Sequence, residues 1–429
     1  MGSKEGVGNM KNRARRIVLF GAVVASLLVA AVTAAVSQGK TNAQAAPAAQ
    51  EVSGSIRLAG WTSGGSTEGV LLKQVLAGFA KKYPKIKVTY TALDPYQQNM
   101  LAQFAARKPP DVFYVDSNDF PDWAKQGLLE PLGPYIAKYK FSTKPYFPRL
   151  LNAFRYKAKL YGFPKGFSPL SMQVNTAMLS RAGVSAPTTW AQLRAVAQRM
   201  KAQNIPAGGR PICLQPEWAR MLAFIYQNGG SMLNATKTRA TVNTPAVRDA
   251  VNFYVGLIND GLAGTQQQLG AGWCGEALGK EKAAIIFEGN WVMPFMAEQF
   301  PSVNYRVNRM IRNKQAATLS FTVSYSIAKA SKNKAAAWTL LTYLTGRQGM
   351  ATWTSKGLEL PSRKDVRLRV PGRTAFIADA AVGRAWQFAP GFSKVMTVAN
   401  NELTAVIEGK QTVNGMLAKV QEAANEALR

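Results

Sequence analysis

Residues 109–118 read PPDVFYVDSN: two prolines and an acid, four apolar or aromatic residues, and then Asp116, Ser117 and Asn118. An apolar run without alternation predicts a strand buried on both faces, and such strands belong to sheets covered by helices. The next stretch, PDWAKQGLL (121–129), has helical spacing. Upstream, GSIRLAGW (54–61) and KIKVTYTAL (85–93) read as strands. Between them GVLLKQVLAGFAKKYP (69–84) reads as an amphipathic helix stopped by Pro84, and YQQNMLAQFAARK (96–108) returns to helical spacing. Strand and helix alternate, which predicts an α/β fold with a largely parallel sheet.

At 429 residues the chain exceeds one ordinary core, so two domains or lobes are expected. Histidine is absent, which removes histidine-based triads, histidine metal sites and the usual neutral-pH general base. The two cysteines, Cys213 and Cys274, form no CxxC pair and have no partners for a zinc site. No catalytic activity, metal or cofactor is therefore expected. The 53 Lys and Arg against 23 Asp and Glu give a formal +30. Without the six basic residues and one acid of the first 50, 47 basic residues still face 22 acids, a formal +25. The charge is spread without an Arg-rich stripe or a nucleic-acid motif, so a solvated, functionally neutral surface is the first expectation, with attraction to an anionic envelope surface as the functional alternative.

The amino terminus sets the compartment. Lys11, Arg13, Arg15 and Arg16 precede a charge-free apolar run at 17–36, followed by small residues with Ala43 and Ala45 spaced for cleavage. Residues 1–50 are expected to be a signal peptide, or an uncleaved anchor, plus linker, and the remainder extracytoplasmic. No cysteine follows the apolar run, so a lipoprotein is not expected.

The middle of the chain continues the α/β pattern, and the strand-like KAAIIFEGNWV (282–292) ends abruptly on Glu288, Gly289, Asn290 and Trp291. In open α/β sheets ligands lie beyond the carboxyl ends of the strands. Standing there are Trp61, Asp116 with Asn118, Lys165, Glu217 with Trp218, and Glu288 with Asn290 and Trp291. An aromatic ring beside a planar polar group suits a sugar, whose C–H face stacks on the ring while its hydroxyls bond the carboxylates and amides. Each residue has a plain alternative: the tryptophans could be core indoles, Asp116 a helix cap, and Glu288 the partner of a lysine.

Six stretches in order resemble the extracellular solute-binding proteins of bacterial ABC importers, in the sugar-binding branch that resembles maltose-binding protein. They are PPDVFYVDSNDFPDWAKQGLLEPL (109–132), LYGFPKGFSPLSMQVNTAMLSRAGVSAPTTWAQL (160–193), GKEKAAIIFEGNWV (279–292), SYSIAKASKNKAAAWTLLTYLT (324–345), GLELPSR (357–363) and EGKQTVNGML (408–417). The resemblance implies two α/β lobes joined by strand crossovers, with a ligand cleft between them that closes by a hinge. Lobe one would hold 54–167 and 319–362, and lobe two 168–318 and 363–429. The implied function is binding of a mono- or oligosaccharide and its delivery to a membrane permease by a monomer. An anionic or other polar solute held by Lys165 and Arg363 is the alternative.

Carried over residue by residue, the resemblance implies ligand contacts from Trp61, Glu68, Asp116, Asn118, Lys165 and Ser168. Lobe two would add Trp218, Trp273, Glu288, Asn290 and Trp291, and Arg363 would stand at the rim. It would also set Cys213 and Cys274 near the cleft side of lobe two, where a disulfide would tie the Trp273 loop to the Trp218 strand; two buried thiols are the alternative. Ser324-Tyr325-Ser326, where relatives often carry glycines, would narrow the site. Met396 and Phe392 fall near the place of a stacking aromatic in maltose binders.

Overall fold

The computed structural model describes residues 52–62, 66–367 and 369–429. The expected signal, anchor and linker of residues 1–50 lie outside the described residues. Among the described residues no helix is long and apolar enough to cross a membrane.

The fold is two-lobed α/β. Its strands in chain order are β1 (Gly54–Gly60), β2 (Ile86–Ala92), β3 (Val112–Asp116), the small hairpin β4 (Arg155–Tyr156) and β5 (Lys159–Leu160), β6 (Gly162–Pro169) and β7 (Ser171–Asn175). There follow β8 (Arg210–Cys213), β9 (Ala263–Gly264), β10 (Ala283–Glu288), β11 (Tyr305–Asn308), β12 (Thr318–Ile327) and β13 (Gly383–Ala385). One sheet runs β13-β12-β3-β1-β2, with β6 also paired to β12. The other runs β11-β7-β10-β8-β9.

Helices join strands where the alternating pattern placed them. Ser66 caps Thr67–Lys82 by accepting from Gly69 N, and Thr189 caps Trp190–Ala202 by accepting from Gln192 N. These connections give parallel neighbours: β1 beside β2 and β3, and β8 beside β9 and β10. The sheets as wholes are mixed, however. β12 runs antiparallel to both β3 and β6, and β7 antiparallel to β10 and β11. The antiparallel members are the strands that pass between lobes, which follow no crossover helix and so escape the parallel constraint.

Two segments make those passages. Leu170 alone separates β6 in the first sheet from β7 in the second. Along β12 the buried residues change allegiance: Leu319 packs in the core around β7, β8 and β10, whereas Val323, Tyr325 and Ile327 pack in the core around β1 and β3. A third, smaller cluster surrounds the disulfide that joins Cys213 to Cys274, with Ala277, Leu278, Ile286 and Val292. The bridge ties the end of β8 to the first residue of the helix Cys274–Gly279.

Candidate ligand site

A cavity of about 270 Å³ opens where the crossover strands meet the ends of β1, β3 and β10. Six of the residues read from the sequence line it together: Trp61, Glu68, Asp116, Lys165, Ser168 and Trp291. Phe321, Thr322 and Val323 of β12, with Leu358 and Glu359, complete the lining.

Trp61 follows β1 directly, 37% exposed, and its ring meets Tyr96 and Tyr114 edge-on at centroid distances of 5.2 and 4.9 Å. Those contacts fix the indole while leaving surface toward the cavity. Asp116 ends β3, and its Oδ1 accepts from Asn118 N at 2.8 Å. That bond makes a turn, while the N-cap of the following helix is Asp119, so Asp116 is not the helix cap. Burial, then the neighbouring Asp119, pushes the Asp116 carboxyl up to about 8; burial, then Asp122, pushes Asp119 up to about 7. Asp116 thus faces the cavity without a cationic partner among the described contacts.

Lys165 is the opposite case. Its buried ammonium donates to Glu68 Oε1 at 3.0 Å and stands 4.0 Å from the Trp353 ring centroid, 4.1 Å from Tyr114 and 5.5 Å from Trp61. Burial alone would lower its pKa, but Glu68 and Glu359 overcome that and hold it above the ordinary lysine value. Glu359 accepts from Trp353 Nε1 at 2.7 Å, and burial pushes its carboxyl up in spite of Lys165. The cation of this site is already neutralised from within.

Trp291 is held by a second network. Glu288, 0% exposed, accepts on Oε2 from Trp291 Nε1 at 3.0 Å and from Arg220 Nη2 at 2.9 Å. Arg220 also pairs with Glu217, and its Cζ lies 5.7 Å from both the Trp291 and Phe321 ring centroids. Burial, opposed by Arg220, leaves the Glu288 carboxyl above its ordinary value. Trp291 itself packs against both main cores. Gly289 is required at the turn because a Cβ there would overlap the Trp291 ring and Ser168 Oγ. Ser168 Oγ in turn donates to Asn290 Oδ1 at 3.0 Å and accepts from Asn290 N at 2.6 Å.

Several expected contacts stand elsewhere. Glu288 and Asn290 are fully buried behind the lining; they orient Trp291 and Ser168 and do not face the cavity. Trp218 is a core indole, 0% exposed, with its N–H on Met232 Sδ, because every residue of the helix it opens except Arg220 is buried. Trp273 immediately precedes the helix Cys274–Gly279 and packs edge-on against Phe295 at 4.7 Å. Asn118 turns beside Asp119 and is not in the lining. Arg363 donates from Nε and Nη2 to the two carboxylate oxygens of Asp365 and lies over Tyr146 at 4.9 Å, lining a different groove. Ser324, Tyr325 and Ser326 are buried in the first sheet and do not narrow the cavity; Phe321 to Val323 form its wall instead. Met396 and Phe392 belong to the core around β7, β8 and β10.

Arg220, Phe321, Trp353 and Glu359 were not anticipated as parts of the site. Glu359 had a signal, as the acid in the otherwise apolar GLELP turn, and Phe321 stands in a stretch already read as a crossover. Arg220 lies two residues after a buried tryptophan in a largely apolar helix, and nothing in its sequence surroundings marks it.

The model of the family described as bacterial extracellular solute-binding protein matches residues 63–351. A putative binding protein of Brucella abortus is 23% identical over 378 residues, spanning 84% of this chain and 90% of its own. Among solved structures, an ABC substrate-binding protein from Listeria monocytogenes in complex with cycloalternan is similar with a TM-score of 0.79 at 24% identity, covering 87% of this chain and 98% of that one. UgpB from Mycobacterium tuberculosis in complex with glycerophosphocholine gives 0.78 at 16% identity, covering 88% and 98%. At these identities the structural likeness establishes the fold.

Proposed function

The chain belongs to the bacterial extracellular solute-binding proteins, and from that premise we propose that it binds a mono- or oligosaccharide in the cavity beside Trp61 and Trp291 and delivers it to an ABC permease by hinge closure. The observation that carries this reading is the pairing of aromatic faces with acceptors on one wall system: Trp61, Trp291 and Phe321 beside Asp116, Glu68 and Glu359. A pyranose offers such a site apolar C–H faces for the rings and hydroxyl donors for the carboxylates. The lining cation is Lys165, and its pairing with Glu68 leaves little for an anionic solute to neutralise. Arg363, the second cation of the anionic alternative, is committed to Asp365. The sugar reading is therefore favoured over that alternative. The neighbour with cycloalternan supports a sugar, while UgpB with glycerophosphocholine marks the range of polar solutes this fold accommodates.

The lobes are read as 54–167 with 319–362 and 168–318 with 363–429, except that Ser168 and Pro169 still pair in the first sheet and Gly383–Ala385 returns to it, so the hinge is set at Leu170 and within β12. Trp291, touching both cores, is the element through which ligand would favour the closed form. The protein acts as a monomer without catalysis, exported by its amino-terminal segment, with its positive charge drawn to the anionic envelope. Calorimetry against a panel of neutral sugars, with small-angle scattering of apo and loaded protein, tests this. Heat with a dissociation constant of about 1 μM or tighter and a smaller radius of gyration is expected. Heat from polyol phosphates alone would refute the sugar assignment.

A further inference from the structure

A second concavity is larger than the cavity beside Trp291: a groove of about 840 Å³ between the helix Pro148–Asn152, the segment 360–367 and the helix Thr374–Ala380. Its apolar walls are Phe147, Leu150, Phe167, Leu360, Val366 and Ile377. Two of these are unusually open for their size, Phe147 at 38% and Ile377 at 58% exposure. Around them stand five cations, Arg149, Arg363, Lys364, Arg367 and Arg373, and no acidic residue is in the lining.

Of the five, Arg363 has a carboxylate partner, Asp365. Arg149 donates only to main-chain oxygens, those of Ala380 and Gly383. Arg373 is 3% exposed, donates from Nη2 to the oxygen of Glu359, and its buried Nε has no partner. Burial lowers the pKa of Arg373, a cation that has lost water without gaining a counter-charge, and partial desolvation lowers that of Arg149, which stays exposed. Lys364 and Arg367 reach solvent at the mouth.

The groove is separate from the cavity and shares a wall with it. Phe167 and Leu360 bond each other through their main chains at 3.0 and 2.8 Å and show their side chains to the groove. Their neighbours Ser168 and Glu359 show theirs to the cavity, as alternation along extended chain requires.

We propose that this groove is a binding site for a single-chain amphiphilic carboxylate, a fatty-acid anion, with its tail on Phe167, Leu360 and Ile377 and its head at Arg373 and Arg149. The buried Arg373, with an unpartnered Nε, and the exposed Arg149 beside it, which has no carboxylate partner among the described contacts, call for a carboxylate or phosphate head, and the exposed apolar residues call for a tail beside it. The volume falls within the range of about 300–1,000 Å³ usual for small-molecule pockets, which favours a monomeric amphiphile over a peptide or a membrane face. The site stands whatever solute fills the cavity beside Trp291.

The test titrates delipidated full-length protein with dodecanoate below its micellar concentration, with dodecyl maltoside as the neutral-headed comparator and phosphatidylglycerol vesicles as the membrane comparator. One saturable dodecanoate site is expected. Lys364→Glu/Arg367→Glu and, separately, Ile377→Asp should each weaken it about tenfold. Lys87→Glu, on the exposed face of β2, should leave it unchanged. Dodecyl maltoside binding as tightly as dodecanoate would overturn the assignment. So would dodecanoate affinity that is the same in all variants, or protein that binds the vesicles and not the monomeric acid.

Discussion

Replacing Arg220 by methionine should destabilise the protein by an amount set by pH. Methionine keeps much of the stem that packs beneath Trp291 and Phe321 but removes the charge. Glu217, 41% exposed, can return to water; Glu288, 1% exposed, cannot. Breaking a buried pair from one side costs about 3–5 kcal/mol. The loss has a ceiling, because Glu288 can escape its unpaired charge by taking up a proton. From the ordinary glutamate value of 4.5, and about 1.36 kcal/mol for each pH unit above it, holding that proton costs about 1.4 kcal/mol at about pH 5.5 and about 4.8 kcal/mol at about pH 8. Removing Arg220 raises the folded pKa of Glu288 further, so its stabilising contribution is present at low pH and lost as pH rises. The single variant should therefore lose no more than about 1.4 kcal/mol at about pH 5.5 and about 3–5 kcal/mol at about pH 8. Adding Glu288→Gln keeps an acceptor for the Trp291 N–H and removes the buried charge, so the double variant should recover to within about 1 kcal/mol of the wild type at both pH values. Urea unfolding followed by tryptophan fluorescence on all four proteins measures the cycle. Equal losses at the two pH values, or a double variant no better than the single, would refute the network.

The other expectations separate cavity from core. Trp291→Ala and Trp61→Ala should each weaken sugar binding by about tenfold or more, whereas Trp218→Ala should cost about 3–5 kcal/mol of stability; calorimetry and denaturant melts distinguish them. The Asp116 and Asp119 carboxyls hold protons in the folded chain that the unfolded chain has released. Their contribution is complete below the ordinary aspartate value of 3.8 and is lost as pH rises through about 7 and about 8. Melting temperature of the ligand-free protein should fall over that interval, and Asp116→Asn should flatten the fall while weakening sugar binding. Cys213→Ser/Cys274→Ser opens a loop with a sequence separation of 61, and chain entropy sets the loss at about 4 kcal/mol, measured by urea unfolding beside the oxidised protein.

The α/β alternation was legible because its strands are long apolar runs and its helices carry clear caps. Strand direction was not: PKGFSPLSMQVN and FTVSYSI read as extended, but which sheet each half joins depends on partners more than a hundred residues away, such as Ser324 opposite Val115. The site divided in the same way. Residues at strand ends, Trp61, Asp116 and Trp291, were reachable from position alone. Trp218 stands after a strand as a cavity tryptophan would and went inward because its helix is buried apart from Arg220. Glu288 looked like a ligand group and is a support, since only the fold brings Arg220 beside it.

The second sheet draws all its strands from residues 171–308, but the first cannot be finished without Thr318–Ile327. As the chain is synthesised, β3 therefore waits through about two hundred further residues with Val112–Val115 as an unpartnered edge. Pairing over such a separation is slow. A polypeptide that completes its first lobe last remains threadable for most of its synthesis. The same delay makes VFYV the segment to guard against aggregation whenever the protein is truncated before residue 318 or refolded at high concentration.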